Sequence, residues 1–560
     1  MKNKIIIILA ALGFISLAES CTKLKETVLD ESSVTGLTEK QIADGTIAPV
    51  YAQLPNIFLH TNLFALQEIS TDEAILPYRG GTDWGDNGIY LALHRHQTTS
   101  TDPNVRGTWN FITQSLSRAV SAVSSLQTSK DPNAKLYIAE ARGMYAFYNL
   151  LALDLWGIIF VKEDPGATSK IVRGTEAVEY LKKVLLEVEP ALDNTTGPGR
   201  LTKAAVWGLL AKLHLNAAVY NDRYASTLTF KPEDMDKVID YTTKIISSGQ
   251  FALSPDYWAI FNDDNHNNKE HIFAVDQRAD LNGHNRMAYF SLSGDQFPLP
   301  AYTGANGTDG PAITPDFYRS WVTANGAVDP AIADPRFYKQ NVMVKPGDTC
   351  VDAAAYRIDR GILRGQQFGL QRVNGVFLKC PDGKMKVGKI FNVTRSRPTT
   401  PVIHTEQIDF TTAGSDYSTG FRVEKYEFSQ KSVSGRNFGE ADISIIRLAD
   451  VYLMRAEAKL RKSDAAGALT DVNTVRTSRT ATGTGKALTS VNLDELFRER
   501  GFELYWEMHR RTDMVRFGKY EGSWTEKNDT DKNKRVFPIP QTAIDGASNL
   551  PGYLKQNPGY

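Results

Sequence analysis

The chain has 560 residues, of which 42% are hydrophobic and 23% are charged, a balance typical of a protein with a packed core. Its Lys and Arg residues number 64 and its Asp and Glu residues also number 64, so the formal net charge is zero. This balance argues against a nucleic-acid-binding protein and against broad attraction to anionic membrane surfaces.

Residues 1–20 have the pattern of a secretory signal peptide, with two early lysines, an apolar run over 5–17 and small residues before Cys21. The apolar run is shorter than the ~20 residues that a membrane-spanning helix needs. A cysteine at the cleavage point predicts lipidation of the new N-terminus, as in bacterial lipoproteins, with residues 21–37 as a tether. The alternative is ordinary cleavage near Cys21 and a freely secreted protein, because Ala18 and Glu19 are unusual before a lipidated cysteine.

Helical periodicity dominates residues 38–250. Apolar residues recur at spacings of three and four over Ala134–Trp156 and over residues 201–220. Residues 176–188 and Pro232–Ser247 are further amphipathic segments, and the acids after Pro232 are typical of a first helical turn. Small residues along these segments predict close helix pairing of the tetratricopeptide type.

Residues 251–439 are instead rich in Gly, Pro, Asn, Asp and Thr, with only short apolar runs. This stretch is too long for a connection between helices, and it predicts a loop-and-short-strand subregion inserted into the helical scaffold. Loops on a rigid frame often carry binding residues. Its two cysteines, Cys350 and Cys380, could form a disulfide or remain buried thiols. We favour thiols, since nothing else in the sequence indicates a cystine framework.

Residues 440–560 return to helical periodicity. A helix face extends from Ile446 to Leu460, a partner helix covers 464–478, and a third helix is expected over 493–517. Within the third helix, Glu507 and Arg511 lie four residues apart and can form an ion pair. We interpret its charged residues as structural pairs between packed helices and not as a catalytic set. These residues are Glu499, Arg500, Glu503, Glu507, Arg510, Arg511 and Asp513.

Several segments, in order along nearly the whole mature chain, resemble the SusD/RagB family. They are 141–148 (ARGMYAFY), 202–211 (TKAAVWGLLA), 445–458 (IIRLADVYLMRAEA), 497–504 (FRERGFEL), 537–540 (FPIP) and 556–560 (QNPGY). Each motif is weak by itself, whereas the ordered set is specific. The resemblance implies a mainly α fold, with a tetratricopeptide-like helical repeat scaffold and a large loop-rich inserted subregion. In this fold, one domain would be formed together by residues 38–250, 251–439 and 440–560.

The resemblance also implies a non-catalytic lipoprotein of the outer membrane, anchored through Cys21 and facing the cell surface. Such a protein binds a nutrient, usually a glycan, and delivers it to a SusC-like TonB-dependent transporter. Thr22–Lys25 stand where many surface lipoproteins carry acids, so the N-terminus itself does not indicate surface export. Two other classes stay open: a surface glycoside hydrolase, although no motif nominates its carboxylate pair, and a protein-binding helical scaffold without a small ligand. We expect no cofactor and no metal site, since His94 and His96 lack further ligands nearby in sequence.

The candidate ligand-binding residues lie in two loops. The first loop, within residues 72–100, contains glycines that permit tight turns. A tryptophan face with flanking polar groups suits a sugar, although Trp84 could instead pack this loop onto the helices. The second loop begins at Phe297 and continues towards Pro315. After this proline, Phe317, Tyr318 and Trp321 are expected to anchor the start of a helix. The candidates are Arg79, Asp83, Trp84, Asp86 and Asn87 in the first loop, and Tyr302 and Asn306 in the second.

Overall fold

The structure is a computed structural model. It describes residues 36–79, 88–281, 285–296, 307–345, 349–374, 376–412, 414, 416–429, 439–483 and 485–560. The predicted signal peptide and the lipidation site at Cys21 lie outside these residues. Within them, no helix has the length and apolar character needed to cross a membrane.

Helices make up most of the regular structure, which confirms the mainly α prediction. The longer helices are α1 (Glu39–Tyr51), α2 (Pro103–Leu126), α3 (Ala134–Trp156), α4 (Gly174–Val188), α5 (Lys203–Leu215), α6 (Pro232–Ser247), α7 (Pro315–Asn325), α8 (Leu448–Arg461), α9 (Ala465–Arg476), α10 (Leu493–Leu504) and α11 (Arg510–Arg516). Short helices occur at Leu54–Ile57, Ile89–His94, Ala217–Asn221, Met287–Ser291, Pro330–Ala333 and Gln541–Gly546, with a π-helical turn at Ala65–Ile69.

Local sequence signals set the ends of these helices. α1 starts with a capping box, in which Thr38 and Gln41 satisfy each other's backbone N–H groups. α2 starts at a proline, and the side chain of Asp102 accepts the N–H groups of the second and third helical residues. α3 ends at Gly157, whose φ of 69° is the left-handed conformation that favours glycine.

Neighbouring helices pack in pairs, with α2 on α3, α3 on α4 and α5 on α6. α6 also packs against α8, and α8 against α9, so the early and late helices form one continuous layer around a shared hydrophobic core. Gly208 permits a close contact in this layer. A Cβ atom there would lie 2.7 Å from the Ile446 side chain, so a larger residue would separate α5 from residues 443–447.

The strands are short, and they form several small antiparallel sheets. Two sheets have three strands: Phe368–Leu370, Met385–Lys389 and Thr349–Val351; and Arg422–Glu424, Arg360–Leu363 and Tyr338–Lys339. The two-stranded pairs are Ala74–Ile75 with Ala312–Ile313, Ile159–Val161 with Lys170–Val172, His271–Val275 with Ile443–Arg447, Gly365–Gln366 with Ile403–His404, Arg372–Val373 with Val376–Phe377, Phe391–Asn392 with Arg397–Pro401, and Gly522–Trp524 with Lys527–Asp529. Ile446 was predicted on a helix face; it lies instead in a strand, and α8 begins at Leu448.

The single helix predicted over 493–517 is wrong, because the chain breaks between α10 and α11. Trp506 and Met508 adopt left-handed conformations, with φ of 64° and 65°. Their N–H groups donate to the buried carboxylates of Glu73 and Glu68, which replace the helical acceptors. A tertiary contact therefore overrides the helical periodicity of this segment.

The predicted pair between Glu507 and Arg511 is wrong for the same reason. Glu507 instead accepts from Arg447 at 2.6 Å and from Lys425 at 2.7 Å, while Arg511 lies 3.1 Å from Asp154. The broader prediction of structural ion pairing is confirmed, because these charged groups are almost completely buried and paired across elements.

Glu503 lies at the centre of this buried ionic network. Its carboxylate accepts from Arg447 at 2.7 Å, from Arg479 at 2.6 Å and from Arg336 at 2.9 Å. Burial alone would raise the pKa of Glu503, but these three guanidinium groups hold it well below its usual range. Since Arg336 belongs to residues 251–439, the network fastens that stretch to α10.

Cys350 and Cys380 form a disulfide with a Cα–Cα distance of 6.2 Å, which corrects the preference for free thiols. Cys350 lies in the strand Thr349–Val351, and Cys380 follows the hairpin formed by Arg372–Val373 and Val376–Phe377. The bond brings together two parts of the strand-rich region, and the sequence carried no pattern that would have indicated it.

Candidate functional site

Arg79 is the one candidate ligand residue that the structure describes. Asp83, Trp84, Asp86, Asn87, Tyr302 and Asn306 lie outside the described residues. The flanks of both candidate loops are described, however, and they show where each loop leaves and re-enters the fold.

The first loop leaves after Arg79 and returns at Gly88, and its two ends lie side by side. A Cβ atom at Gly88 would lie 2.4 Å from the Tyr78 hydroxyl oxygen, and the φ of Gly88 is 73°. Both the space and the backbone conformation therefore require glycine at this position. The two flanks of the first loop are therefore in contact, and we call such adjoining flanks the base of a loop.

The flanks of the second loop are also in contact and form its base. Ser293 and Thr308 form an isolated antiparallel bridge. The Thr308 hydroxyl donates to the Phe290 carbonyl at 2.6 Å, and the Gly310 N–H donates to the same oxygen at 3.0 Å. Tyr90, just after the first loop, has its ring 5.9 Å from that of Phe290. The bases of the two loops are therefore neighbours.

Arg79 joins these two bases directly. Its side chain is fully buried, and its Nε and Nη2 atoms donate to the Gly310 carbonyl at 3.3 and 2.9 Å. Its Nη1 atom donates to the carbonyls of Thr419 at 2.6 Å and Asp416 at 3.1 Å. Arg79 was predicted as a ligand contact and stays a prediction; its described bonds join the base of the second loop and the 416–420 turn.

The turn over residues 416–420 is the third segment at this site, and the buried side chains of Arg422 and His404 hold its carbonyl oxygens. Arg422 donates to Tyr417, Thr419 and Gly420 at 2.6, 2.7 and 2.8 Å, while His404 Nδ1 lies 2.9 Å from the Ser418 oxygen. Burial lowers the pKa of Arg422 to about 10, so the guanidinium remains charged at neutral pH. The turn is thus a fixed platform.

Four partly exposed side chains, which we name the Tyr417 cluster, meet at this platform: Tyr417 and Asp416 from the turn, and Arg395 and Arg397 from the neighbouring segment. The guanidinium carbons of Arg395 and Arg397 lie 4.4 and 5.4 Å from the centre of the Tyr417 ring. Arg397 pairs with Asp416 at 2.6 Å, and Arg395 pairs at 2.8 Å with Asp309, which follows the second loop. Planar guanidinium and phenol groups offer flat faces and several directed N–H and O–H groups.

Sequence reasoning missed the Tyr417 cluster. Arg395 and Arg397 are close together in sequence, but Tyr417 and Asp309 approach them only through folding. A local signal did exist, since Tyr417 lies between Gly414 and Gly420 in the same kind of glycine-containing loop that drew attention to Trp84. The expected anchors of the helix after Pro315 are confirmed, because α7 begins there with Phe317 and Trp321 buried.

Two buried carboxyl groups that precede Arg79 in sequence are unsuited to reach a ligand. Glu68 and Glu73 are fully buried below the strand Ala74–Ile75, and burial raises the pKa of Glu73 to about 7. Their oxygens accept from the backbone of the segment between α10 and α11. They therefore support the shape of that segment.

The described residues contain one cluster of His and Asp side chains with metal-like spacing. The ligand atoms of His266, Asp276 and Asp442 lie within 4.8 Å of one another. Arg278 already binds Asp276 in a bidentate arrangement, and His266 Nδ1 lies 3.1 Å from Asp442, so the cluster is a closed ion-pair network. His94 faces two backbone carbonyls, those of Ile69 and Thr525.

Comparison with known proteins agrees with this architecture. The sequence model of the SusD family matches residues 269–560. The starch-binding protein SusD of Bacteroides thetaiotaomicron is 27% identical over 446 residues, which cover 75% of this chain and 72% of that protein. A SusD-like protein of Bacteroides ovatus is 26% identical over 189 residues, covering 32% of this chain and 34% of the relative.

Solved structures share the fold at low sequence identity. A SusD superfamily protein from Parabacteroides distasonis superposes with a TM-score of 0.66 at 17% identity, covering 94% of this chain and all (100%) of that one. The surface glycan-binding protein A from Bacteroides thetaiotaomicron, solved with laminarihexaose, gives a TM-score of 0.61 at 17% identity, covering 93% and 98% of the two chains. The chain belongs to the SusD family.

Proposed function

We propose that this protein is a cell-surface lipoprotein that binds an oligosaccharide or polysaccharide at the Tyr417 cluster and the two adjoining loops. It would then deliver the glycan to a SusC-like TonB-dependent transporter in the outer membrane. The observation that carries this proposal is the convergence of three segments on Arg79, because that residue bonds to the base of the second loop and to the 416–420 turn.

The chemistry of this surface fits a carbohydrate. Sugars present many hydroxyl groups, which guanidinium, carboxylate and phenol groups can hydrogen-bond, and apolar C–H faces that suit an aromatic ring. Arg397 and Asp416 are 39% and 41% exposed while paired with each other, so both can reach a ligand without leaving the pair. Trp84, Tyr302 and Asn306 would add an aromatic face and further polar groups from the loops.

Two relatives support the ligand class. One bears the name starch-binding protein, and one structural relative was solved with laminarihexaose. Neither relative identifies the glycan that this chain would bind, because the candidate ligand residues lie in this chain's own loops. Hydrolysis is the less favoured function, because a hydrolase needs two carboxylates facing a cleft, commonly about 5–10 Å apart. At this site Asp309 is buried against Arg395, and Asp416 is engaged by Arg397.

The predicted lipid at Cys21 would hold the protein beside its transporter. Tethering raises the effective concentration of bound glycan at the transporter entrance, so modest affinity would suffice. Replacing Cys21 with Ser should release the protein from the membrane fraction without changing its affinity for glycan. Retention of Cys21→Ser in that fraction would argue against lipid anchoring. Protease accessibility on intact cells would test the surface orientation, and copurification from membranes would test the transporter.

Titration calorimetry against a panel of glycans tests the binding function. We expect one glycan class to bind, and Tyr417→Ala or Trp84→Ala to weaken that binding about two- to tenfold, as expected for loss of one aromatic contact. Tyr224→Ala is the matched control, because Tyr224 is 38% exposed and lies in the N-terminal helical part. Absence of binding to any glycan would contradict the proposal, and release of reducing sugar would favour a hydrolase.

A further inference from the structure

A cleft of about 570 Å³ opens beside the start of the second loop, next to Asp295. Its volume falls in the range of about 300–1,000 Å³ that is usual for ligand pockets. Leu370, Ile390 and Phe391 supply apolar surface, and Asn374, Lys389 and Ser396 supply polar groups. This combination of an apolar wall and a few polar groups is typical of small-molecule sites.

The cleft and the Tyr417 cluster both include residues of one stretch of chain, 393–398. Val393, Ser396 and Pro398 line the cleft. Arg395 and Arg397, which alternate with them in sequence, belong instead to the Tyr417 cluster. The same segment therefore borders both places, with the cluster and the cleft formed by different residues of it.

The wall of the cleft is held in place by buried contacts. Asp295 is 2% exposed, accepts from the Thr394 hydroxyl at 2.7 Å and lies 3.1 Å from Arg372 Nη2. The Cys350–Cys380 disulfide joins the chain after the hairpin that contains Arg372 to the three-stranded sheet. The cleft is thus a preformed shape, which lowers the entropy lost when a ligand binds.

Several groups in the cleft are available to a ligand. Phe391 is half-buried, yet it belongs to none of the hydrophobic clusters among the described residues. Across the described part of the chain, the side chains of Asn374, Lys389 and Ser396 form no hydrogen bond or ion pair within the protein. An aromatic side chain without a packing role, beside uncommitted hydrogen-bonding groups, is the pairing that a sugar ring requires.

We propose that this cleft is a second glycan subsite, which takes the part of the bound chain that extends beyond the Tyr417 cluster. The ligand class is then a glycan chain long enough to span both places, and not a monosaccharide or disaccharide. This inference rests on the proposed function, since the occupant of the cleft is a continuation of the same ligand.

Calorimetry on a length series of the glycan that binds, from the disaccharide to the polymer, tests this subsite. For the wild-type protein we expect affinity to rise with length until the chain spans both places. Phe391→Ala should remove this gain, lowering the affinity for long chains about two- to tenfold while leaving short chains unaffected. Tyr417→Ala should instead weaken binding at every length. The exposed Ile332→Ala is the control expected to match the wild type throughout.

The double variant Asn374→Ala/Lys389→Ala tests the same cleft without disturbing an aromatic side chain, since both residues are exposed. It should also reduce the length-dependent gain. Affinity that does not depend on chain length, or a cleft variant that weakens short and long chains equally, would overturn the subsite while leaving glycan binding in place. Failure of every glycan to bind would overturn both the subsite and the proposed function.

Discussion

The Arg79 guanidinium donates from both Nε and Nη2 to the carbonyl oxygen of Gly310, at 3.3 and 2.9 Å. The two residues are 231 positions apart in sequence, and each adjoins one of the candidate ligand loops. This buried side chain therefore helps to fix the separation of the two loop bases, together with the pairing of Ala74–Ile75 with Ala312–Ile313. We expect its role in binding to be indirect, because its described bonds are to the base of the second loop and to the 416–420 turn.

Arg79→Ala should destabilise the protein and weaken glycan binding together. The substitution removes both Arg79 donors from the Gly310 carbonyl, which should cost about 1–3 kcal/mol in the free energy of unfolding, whereas the Asp416 and Thr419 carbonyls keep donors from Thr419 and Arg422. Arg79→Lys should recover only part of this loss, since an ammonium cannot reproduce the forked geometry. Urea denaturation and calorimetry measure the two effects.

The control for this prediction is Arg278→Ala. Arg278 also bonds to its partner Asp276 in a forked arrangement, but its side chain is 48% exposed. An exposed pair contributes about 0–1 kcal/mol, so the variant should stay close to the wild type in both measurements. Equal losses in the Arg79 and Arg278 variants would contradict a special role for Arg79.

Periodicity predicted the helices whose contacts are mostly local. Ala134–Trp156 and Pro232–Ser247 were predicted with the bounds that the structure has. α2 was not predicted, although its signal was present: Asp102 and Pro103 form a typical start, and apolar residues follow at helical spacing. The break after α10 could not be predicted, because it depends on carboxylates more than 400 residues away in sequence (separations of 433 and 440).

The site was predictable only in part for a related reason. Glycine-rich composition identified the two loops, and the structure shows that their bases adjoin. The Tyr417 cluster could not be assembled from sequence, because Asp309, Arg395 and Tyr417 meet only after the 251–439 stretch has folded. The disulfide is a similar case, since cysteine spacing does not reveal the distance between two sulfurs.

Glu503→Gln should be strongly destabilising, by about 3–5 kcal/mol in the free energy of unfolding. The amide keeps the shape of the side chain but removes the charge that Arg336, Arg447 and Arg479 share, and all of these groups are buried. Denaturant unfolding monitored by tryptophan fluorescence measures the loss.

Glu526→Gln is the matched control for Glu503→Gln. It removes the same charge from the pair with Arg95, in which both side chains are about one-third exposed. The expected cost is about 1 kcal/mol or less, because water and salt screen an exposed pair. Similar losses in the two variants would show that burial of the network has little energetic weight.

Loss of the Cys350–Cys380 disulfide should lower stability by about 3 kcal/mol, the value expected when a loop of this size is no longer constrained in the unfolded chain. The bond encloses a sequence separation of 30 residues. The double variant Cys350→Ser/Cys380→Ser should lose this stability in denaturant unfolding, and reducing agent should then have no further effect. A wild-type protein whose unfolding is insensitive to reducing agent would contradict the prediction.

Acidification should destabilise the 416–420 platform through His404. Burial is the main reason that the pKa of His404 lies well below its usual 6.5, and the positive charges of Arg422 and Arg79 lower it further. The folded protein therefore keeps His404 neutral below pH 6.5, where the unfolded chain binds a proton. Because the unfolded state then binds more protons, the free energy of unfolding falls as pH decreases below 6.5, by up to about 1.4 kcal/mol per pH unit. His404→Asn retains an N–H for the Ser418 carbonyl and should flatten this slope.

A second histidine provides a control of opposite sign. The hydrogen bond to Asp442 raises the pKa of His266 above 6.5, so its contribution to stability is full at acidic pH and is lost as pH rises through that raised value. His266→Asn should therefore steepen the loss of stability on acidification, whereas His404→Asn reduces it. Unfolding free energies measured in a pH series from neutral to acidic would separate the two. Equal slopes for the wild type and His404→Asn would show that protonation of His404 does not govern the platform.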